Sequence, residues 1–169
     1  TTIVVGKGEH HITSNYLMIA SAMNIVGDRG VPKSEIVILG GIWYPVNIQG
    51  NCHLQHLTLC QAKRSGIHGE SSFTMEDVLV DQCLLNGIVA VGAGVVGRCT
   101  NVEVRQCGWN GVVASKGASI TLVGAMTTVD HNCTQGDDDD YGLNVCDSSS
   151  STIQLVSPLT KEHVAMDNG

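Results

Sequence analysis

"FTMEDVLVDQCLLNGIVA" at residues 73–90 returns 24 residues later as "GRCTNVEVRQCGWNGVVA" at residues 97–114. Aligning the chain on the apolar triplets "LTL" (57–59), "VLV" (78–80) and "VEV" (102–104) keeps the whole neighbourhood in step. Leu54, Met75 and Cys99 stand upstream, and Ala62, Cys83 and Cys107 downstream. Gly66, Gly87 and Gly111 then precede Ile67, Ile88 and Val112. A looser fourth copy carries Val129 and Cys133, then Gly142 and Leu143. The spacings are 21, 24 and 25 to 31 residues, depending on the landmark followed.

A fixed period of this length marks stacked units. The runs alternate apolar and polar, favour β-branched residues, and are broken by Gly, Asn and Ser, so each copy reads as two or three short strands joined by turns. Stacking such coils sets equivalent residues about 4.8 Å apart and turns every inward position into a ladder. Met75 over Cys99 and Cys83 over Cys107 are two such ladders, which makes these cysteines small buried hydrophobes. The seven cysteines, at 52, 60, 83, 99, 107, 133 and 146, include no C-x-x-C pair. Parallel side chains in register strain the dihedral a disulfide needs, so the thiols are expected to stay reduced.

The 169 residues, 43% apolar and 15% charged, suit one domain spanning residues 1–169. Aromatics make up only 4% against 20 glycines, so the core is built in thin aliphatic layers. The net charge of −7 is concentrated in "DDDD" at 137–140. The absence of a basic patch argues against nucleic acid and against anionic membranes as partners. No apolar run approaches the ~18 residues of a membrane span.

The chain resembles the right-handed parallel β-helix proteins of the pectin-lyase-like superfamily, which includes polysaccharide lyases and pectin esterases. Two features carry the resemblance: the ladder and the opening "TIVVGKGEHHITSNYLMIASAMNIVGDRG" at 2–30, in which Ile3, Val5, Gly8, Leu17, Ile19, Ile25, Val26 and Gly27 occupy the pattern of the first coils. The repeats are also similar to those of β-helix proteins of algae and other protists. The resemblance implies an all-β, single-stranded right-handed parallel β-helix, a β-solenoid of roughly six coils. The tail "STIQLVSPLTKEHVAMDNG" reads as a last strand with a ragged end. Solenoids need polar caps, so the reading expects a fragment of a longer chain, or oligomer formation through uncapped ends.

Asp81, Arg105 and Asp130 each follow an inward valine and should stack on one outer face. Two carboxylates around a guanidinium could abstract a proton from a uronic acid, but an alternating salt-bridge ladder is the favoured reading. The calcium carboxylates with a projecting base that a pectate lyase uses are not found, nor are the aspartate pair and arginine of a pectin esterase in their usual contexts. Gln61, Gln82, Gln106 and His131 form the next ladder. Gln82 and Gln106 read as structural amides with sugar-hydroxyl binding as the alternative, and Trp109 as a turn ring packed over its neighbour or stacked on a sugar. Asn86 and Asn110 are expected to make left-handed turns.

His53 and His56 are three apart, which on a strand puts them on opposite faces and defeats a metal pair. Thr58, Leu79 and Glu103 spoil the flat Thr array that ice binding requires. Five residues are inserted between Cys133 and Gly142 relative to the previous copy, including most of "QGDDDDY". Asp137, Asp138, Asp139 and Asp140 read as a solvated loop, with weak calcium capture as the alternative because their spacing does not direct ligands inward. No other cofactor is indicated. The function expected is a non-catalytic scaffold or recognition module presenting a polar face to a polysaccharide or a protein partner; the alternative is a uronate lyase or epimerase.

Overall fold

The computed structural model describes residues 1–135, 140–147 and 149–168. The chain winds as an all-β parallel solenoid of about five turns, close to the coil number expected. Three sheets run along it. The first is built from the C-terminal part of β2 (Gly8–Met18) and of β4 (Ile36–Tyr44), then β6 (Ile67–Gly69), β8 (Ile88–Val91), β11 (Val112–Ser115) and β14 (Leu143–Cys146). The second contains β1 (Thr2–Val5), β3 (Asn24–Gly27), the first half of β5 (Cys52–Cys60) and of β7 (Phe73–Asp81), β9 (Val96–Thr100), β12 (Ser119–Val123) and β15 (Thr152–Leu155). The third uses the remaining halves of β2, β4, β5 and β7, then β10 (Glu103–Arg105) and β13 (Thr128–Asp130).

Each sheet contributes one unbroken inward ladder. On the first sheet Leu17, Ile42, Ile67, Ile88, Val112 and Leu143 pair in register. On the second the ladder is Ile3, Ile25, Leu54, Met75, Cys99, Leu122 and Leu155. On the third it is Ile38, Leu59, Val80, Val104 and Val129. The registers read from the first three repeats are therefore those of the structure. Val80, Val104 and Cys99 have no exposed surface. Burial pushes the Cys99 thiol up to about 12, and the mutual hydrogen bond with Cys107, together with burial, pushes the Cys83 thiol up, so both stay protonated. No disulfide joins the cysteines.

Two of the three corners turn mostly on residues other than glycine. Between the second and third sheets the chain turns on single left-handed residues, His56, Asp77 and Asn101, with φ of 54°, 51° and 50°. Between the third and first it turns on Gln61, Gln82, Gln106 and His131, with φ between 52° and 55°. The glycines at the entry to the first sheet answer a different demand. A Cβ on Gly87 would meet Val104 Cγ1 at 2.2 Å and the Gly111 carbonyl oxygen at 2.6 Å.

Three expectations need correction. Asn86 and Asn110 are not left-handed; they bond along the stack, the Asn110 backbone N–H and Nδ2 both donating to Asn86 Oδ1 at 3.1 Å. The fourth member of the Ala62–Cys83–Cys107 row is Asn132, not Cys133: Asn132 is 2% exposed, and its Oδ1 accepts from the Cys107 N–H at 3.1 Å while its Nδ2 donates to the Val104 carbonyl at 3.0 Å. The end after β15 is not ragged. A short helix, α1 (Lys161–Val164), buries Val164 completely against the last coil. Beyond it the Asn168 amide donates to the Val129 carbonyl at 2.8 Å and accepts the Asn132 N–H at 3.0 Å, continuing the ladder with a side chain where the next strand would be.

Candidate functional site

The sequence-derived candidates lie on the third sheet and its corner with the first. Cys60, Asp81, Arg105 and Asp130 stand in register. Asp81 and Arg105 do meet, with Arg105 Nε 3.4 Å from Asp81 Oδ1 and Nη2 3.5 Å from Oδ2. Neither the Oδ1 nor the Nε, both buried, completes a hydrogen bond at that separation. Asp130 turns to His131, at 3.2 Å. The trio is therefore a loose ion pair beside a carboxylate with another partner. Gln82 Nε2 donates to Gln106 Oε1 at 3.2 Å, so the two amides bond along the stack.

Asp137, Asp138 and Asp139 lie outside the described residues. Asp140 Oδ1 accepts a hydrogen bond from Asn110 Nδ2 at 2.9 Å. Among the described residues no three His, Cys, Asp or Glu side chains converge as a metal site. The histidines separate for a reason other than strand alternation: β5 bends at left-handed His56, His53 Nδ1 lies 2.7 Å from Thr74 Oγ1, and His56 engages Asp77.

A groove of about 660 Å³ opens elsewhere, on the outer face of the first sheet. The inward ladder fixes what faces outward there. The residue after each inward position gives the row Met18, Trp43, His68, Val89, Val113 and Asn144, and the first four of these floor the groove. One wall comes from β2, whose pairing with β4 breaks between His11 and Tyr16. Gly40, at φ 143°, makes room for this excursion, since a Cβ there would meet Ile12 Cβ at 2.7 Å. A further part of the rim is the stack of turns entering the first sheet, with Arg64, Ser65, Leu85 and Asn86 lining the groove.

Its polar groups are held in place. Trp43 Nε1–H donates to Glu70 Oε2 at 3.2 Å, and His68 Nε2 lies 3.6 Å from Glu70 Oε1. The Tyr16 ring leans over His68, centroids 6.1 Å apart, while its hydroxyl accepts the Ser65 N–H at 3.2 Å. The site is thus two anchored ring systems beside an anchored carboxylate, with the exposed Arg64 guanidinium on the rim. Rings offer flat apolar faces, and the planar carboxylate and guanidinium can bond two adjacent hydroxyls at once.

Trp109 is 44% exposed and stands in the next turn of the same stack, its backbone N–H donating to the Leu85 carbonyl at 3.0 Å. None of Tyr16, Trp43, Arg64, His68 and Glu70 was singled out from the sequence as a site residue. The signal was present: running the Gly66–Ile67 alignment backwards pairs "GIWY" (41–44) with "GIHG" (66–69) and stacks Trp43 on His68. Comparison with protein-family models, with curated proteins and with solved structures found no match.

Proposed function

We propose that the protein is a non-catalytic recognition module of the pectin-lyase-like kind, and that it takes a polysaccharide segment in the groove floored by Trp43 and His68. The observation that carries this reading is the pairing of Trp43 and Tyr16 with Glu70 and Arg64 inside one concave site. Apolar ring faces with a few fixed polar groups suit a sugar, which has one face of C–H bonds and a rim of hydroxyls. A concave site with anchored rings suits an extended chain better than a flat protein face.

The second reading, a uronate lyase or epimerase, draws on His68 near Glu70, an arrangement that could move a proton. Titration of the full chain with neutral and uronate-containing oligosaccharides, followed by tryptophan fluorescence and by ultraviolet absorbance, separates the readings. Recognition predicts a saturable fluorescence change with no new absorbance. Growth of an unsaturated product would favour the lyase, and silence in both channels across the panel would remove the carbohydrate reading.

A further inference from the structure

At the corner between the second and third sheets the next three coils turn on one residue each, His56, Asp77 and Asn101, but the second coil inserts residues 28–35. This segment folds back along the outside of the third sheet as a strap ending in the 3-10 turn Lys33–Glu35. Its hold on the solenoid is polar. Lys33 Nζ donates to Asp77 Oδ1 and to Glu103 Oε1, each at 2.8 Å, so it reaches past Leu79 to the strand beyond. The Thr58 hydroxyl donates to the Lys33 carbonyl at 3.0 Å. Thr58 and Leu79 face outward yet are only 5% and 9% exposed.

His56 is the other fastening. Its Nδ1 lies 2.6 Å from Asp77 Oδ2 and its Nε2 lies 2.8 Å from the Val31 carbonyl oxygen, on the strap itself. A carbonyl oxygen and an ionised carboxylate only accept, so both contacts are hydrogen bonds only when both ring nitrogens carry protons. Neutral imidazole has one N–H. Losing the proton sets a lone pair against an acceptor at one of the two places.

We infer that residues 28–35 form a proton-held strap, fastened over the third sheet while His56 is an imidazolium and loosened when it becomes neutral. The groups facing His56 are Asp77 from β7 and Lys33 from the strap, with Glu103 of β10 acting through Lys33. The remaining strap charges are engaged elsewhere or point outward: Asp28 Oδ1 accepts the Gly30 N–H, Glu35 pairs with Lys7, and Arg29 is exposed. The hydrogen bond to Asp77, then that to Val31, raises the His56 pKa against burial and the Lys33 charge. Burial disfavours both the Lys33 and Asp77 charges, but their hydrogen bonds outweigh it, leaving Lys33 raised and Asp77 lowered, so His56 is the cation of this trio that gives up its proton first as pH rises. Loosening uncovers Thr58 and Leu79 on the third sheet, away from the groove.

Trypsin reads the strap directly, because Arg29 and Lys33 both lie in it. Cleavage of the full chain there, normalised to cleavage of a free peptide of residues 26–37 at each pH, should rise about tenfold between about pH 6 and about pH 9. In His56→Gln the normalised rate should be high and flat. A flat wild-type ratio, or an undiminished rise in a folded His56→Gln, overturns the strap. Should that variant fail to fold, nuclear magnetic resonance of the wild type decides: His56 and the strap amides must titrate together, and a His56 titration that leaves those amides unmoved is equally fatal.

Discussion

Coils three to five and the first two coils use the same inward ladders but do different things with the rest of the chain. From Leu57 to Val113 the repeat is regular, its corners turn on single residues, and its outward polar groups bond mainly to their own ladder neighbours, as Gln82 does with Gln106 and Asp81 with Arg105. In the first two coils the period breaks twice. The β2 excursion builds a wall and with it the groove, and the 28–35 insertion builds the strap. Regularity makes the scaffold, and departure from it makes the sites. In a ladder the best hydrogen-bond partner of a side chain is its copy one coil away, which leaves little for a ligand.

The largest effect should come from charging the shared ladder. Val104→Asp sets an unpaired carboxylate among Val80 and Val129, both fully buried, and should cost about 4 kcal/mol or more; a thermal melt matching wild type would break the inward assignment in both regions at once. Gly87→Ala comes next, at about 3 kcal/mol, because its Cβ meets both a side chain and the backbone of the following coil. Chemical denaturation measures it.

The strap cluster sets a smaller effect with a defined pH signature. His56 has a raised folded pKa, so its contribution is complete below its unfolded value of about 6.5 and fades as pH climbs through the folded value. Asp77 is lowered, so its contribution is complete above its unfolded value of about 3.9 and fades as pH falls through the folded one. The cluster is therefore fullest between about pH 4 and about pH 6.5. His56→Gln should lower stability by about 1 kcal/mol in that window and by less above it, measured by melts across pH. Smallest is Asp130→Asn, below about 0.5 kcal/mol, since its partner His131 is exposed.

What could be read from the sequence divides along the same line. The positions Leu54–Met75–Cys99 and Leu59–Val80–Val104 were legible because identical spacing repeats a hydrophobic choice, and burial enforces it. The corners were less so: Gln82 and Asp77 take left-handed backbone where Gly or Asn is the expected sign, because each is held there by the turn and by its neighbours above and below. Asn132 replaced Cys133 in its row because one residue was counted into the turn too early, and only the cap formed by Asn168 shows why a buried amide fits there. The groove was hidden for a stronger reason. Tyr16, Trp43, His68 and Glu70 come from separate coils, and one of them sits beside a bulge that no repeat period announces.

The claim that sites lie where the repeat breaks is tested most directly by two tryptophans, one in each region. With an oligosaccharide that binds the wild type, Trp43→Ala should weaken binding about tenfold or more, the loss of about 1.4 kcal/mol from one anchored ring. Trp109→Ala, in the regular part of the same stack of turns, should stay within about twofold. The reverse order, or equal losses, would place recognition on the regular repeat and contradict the account.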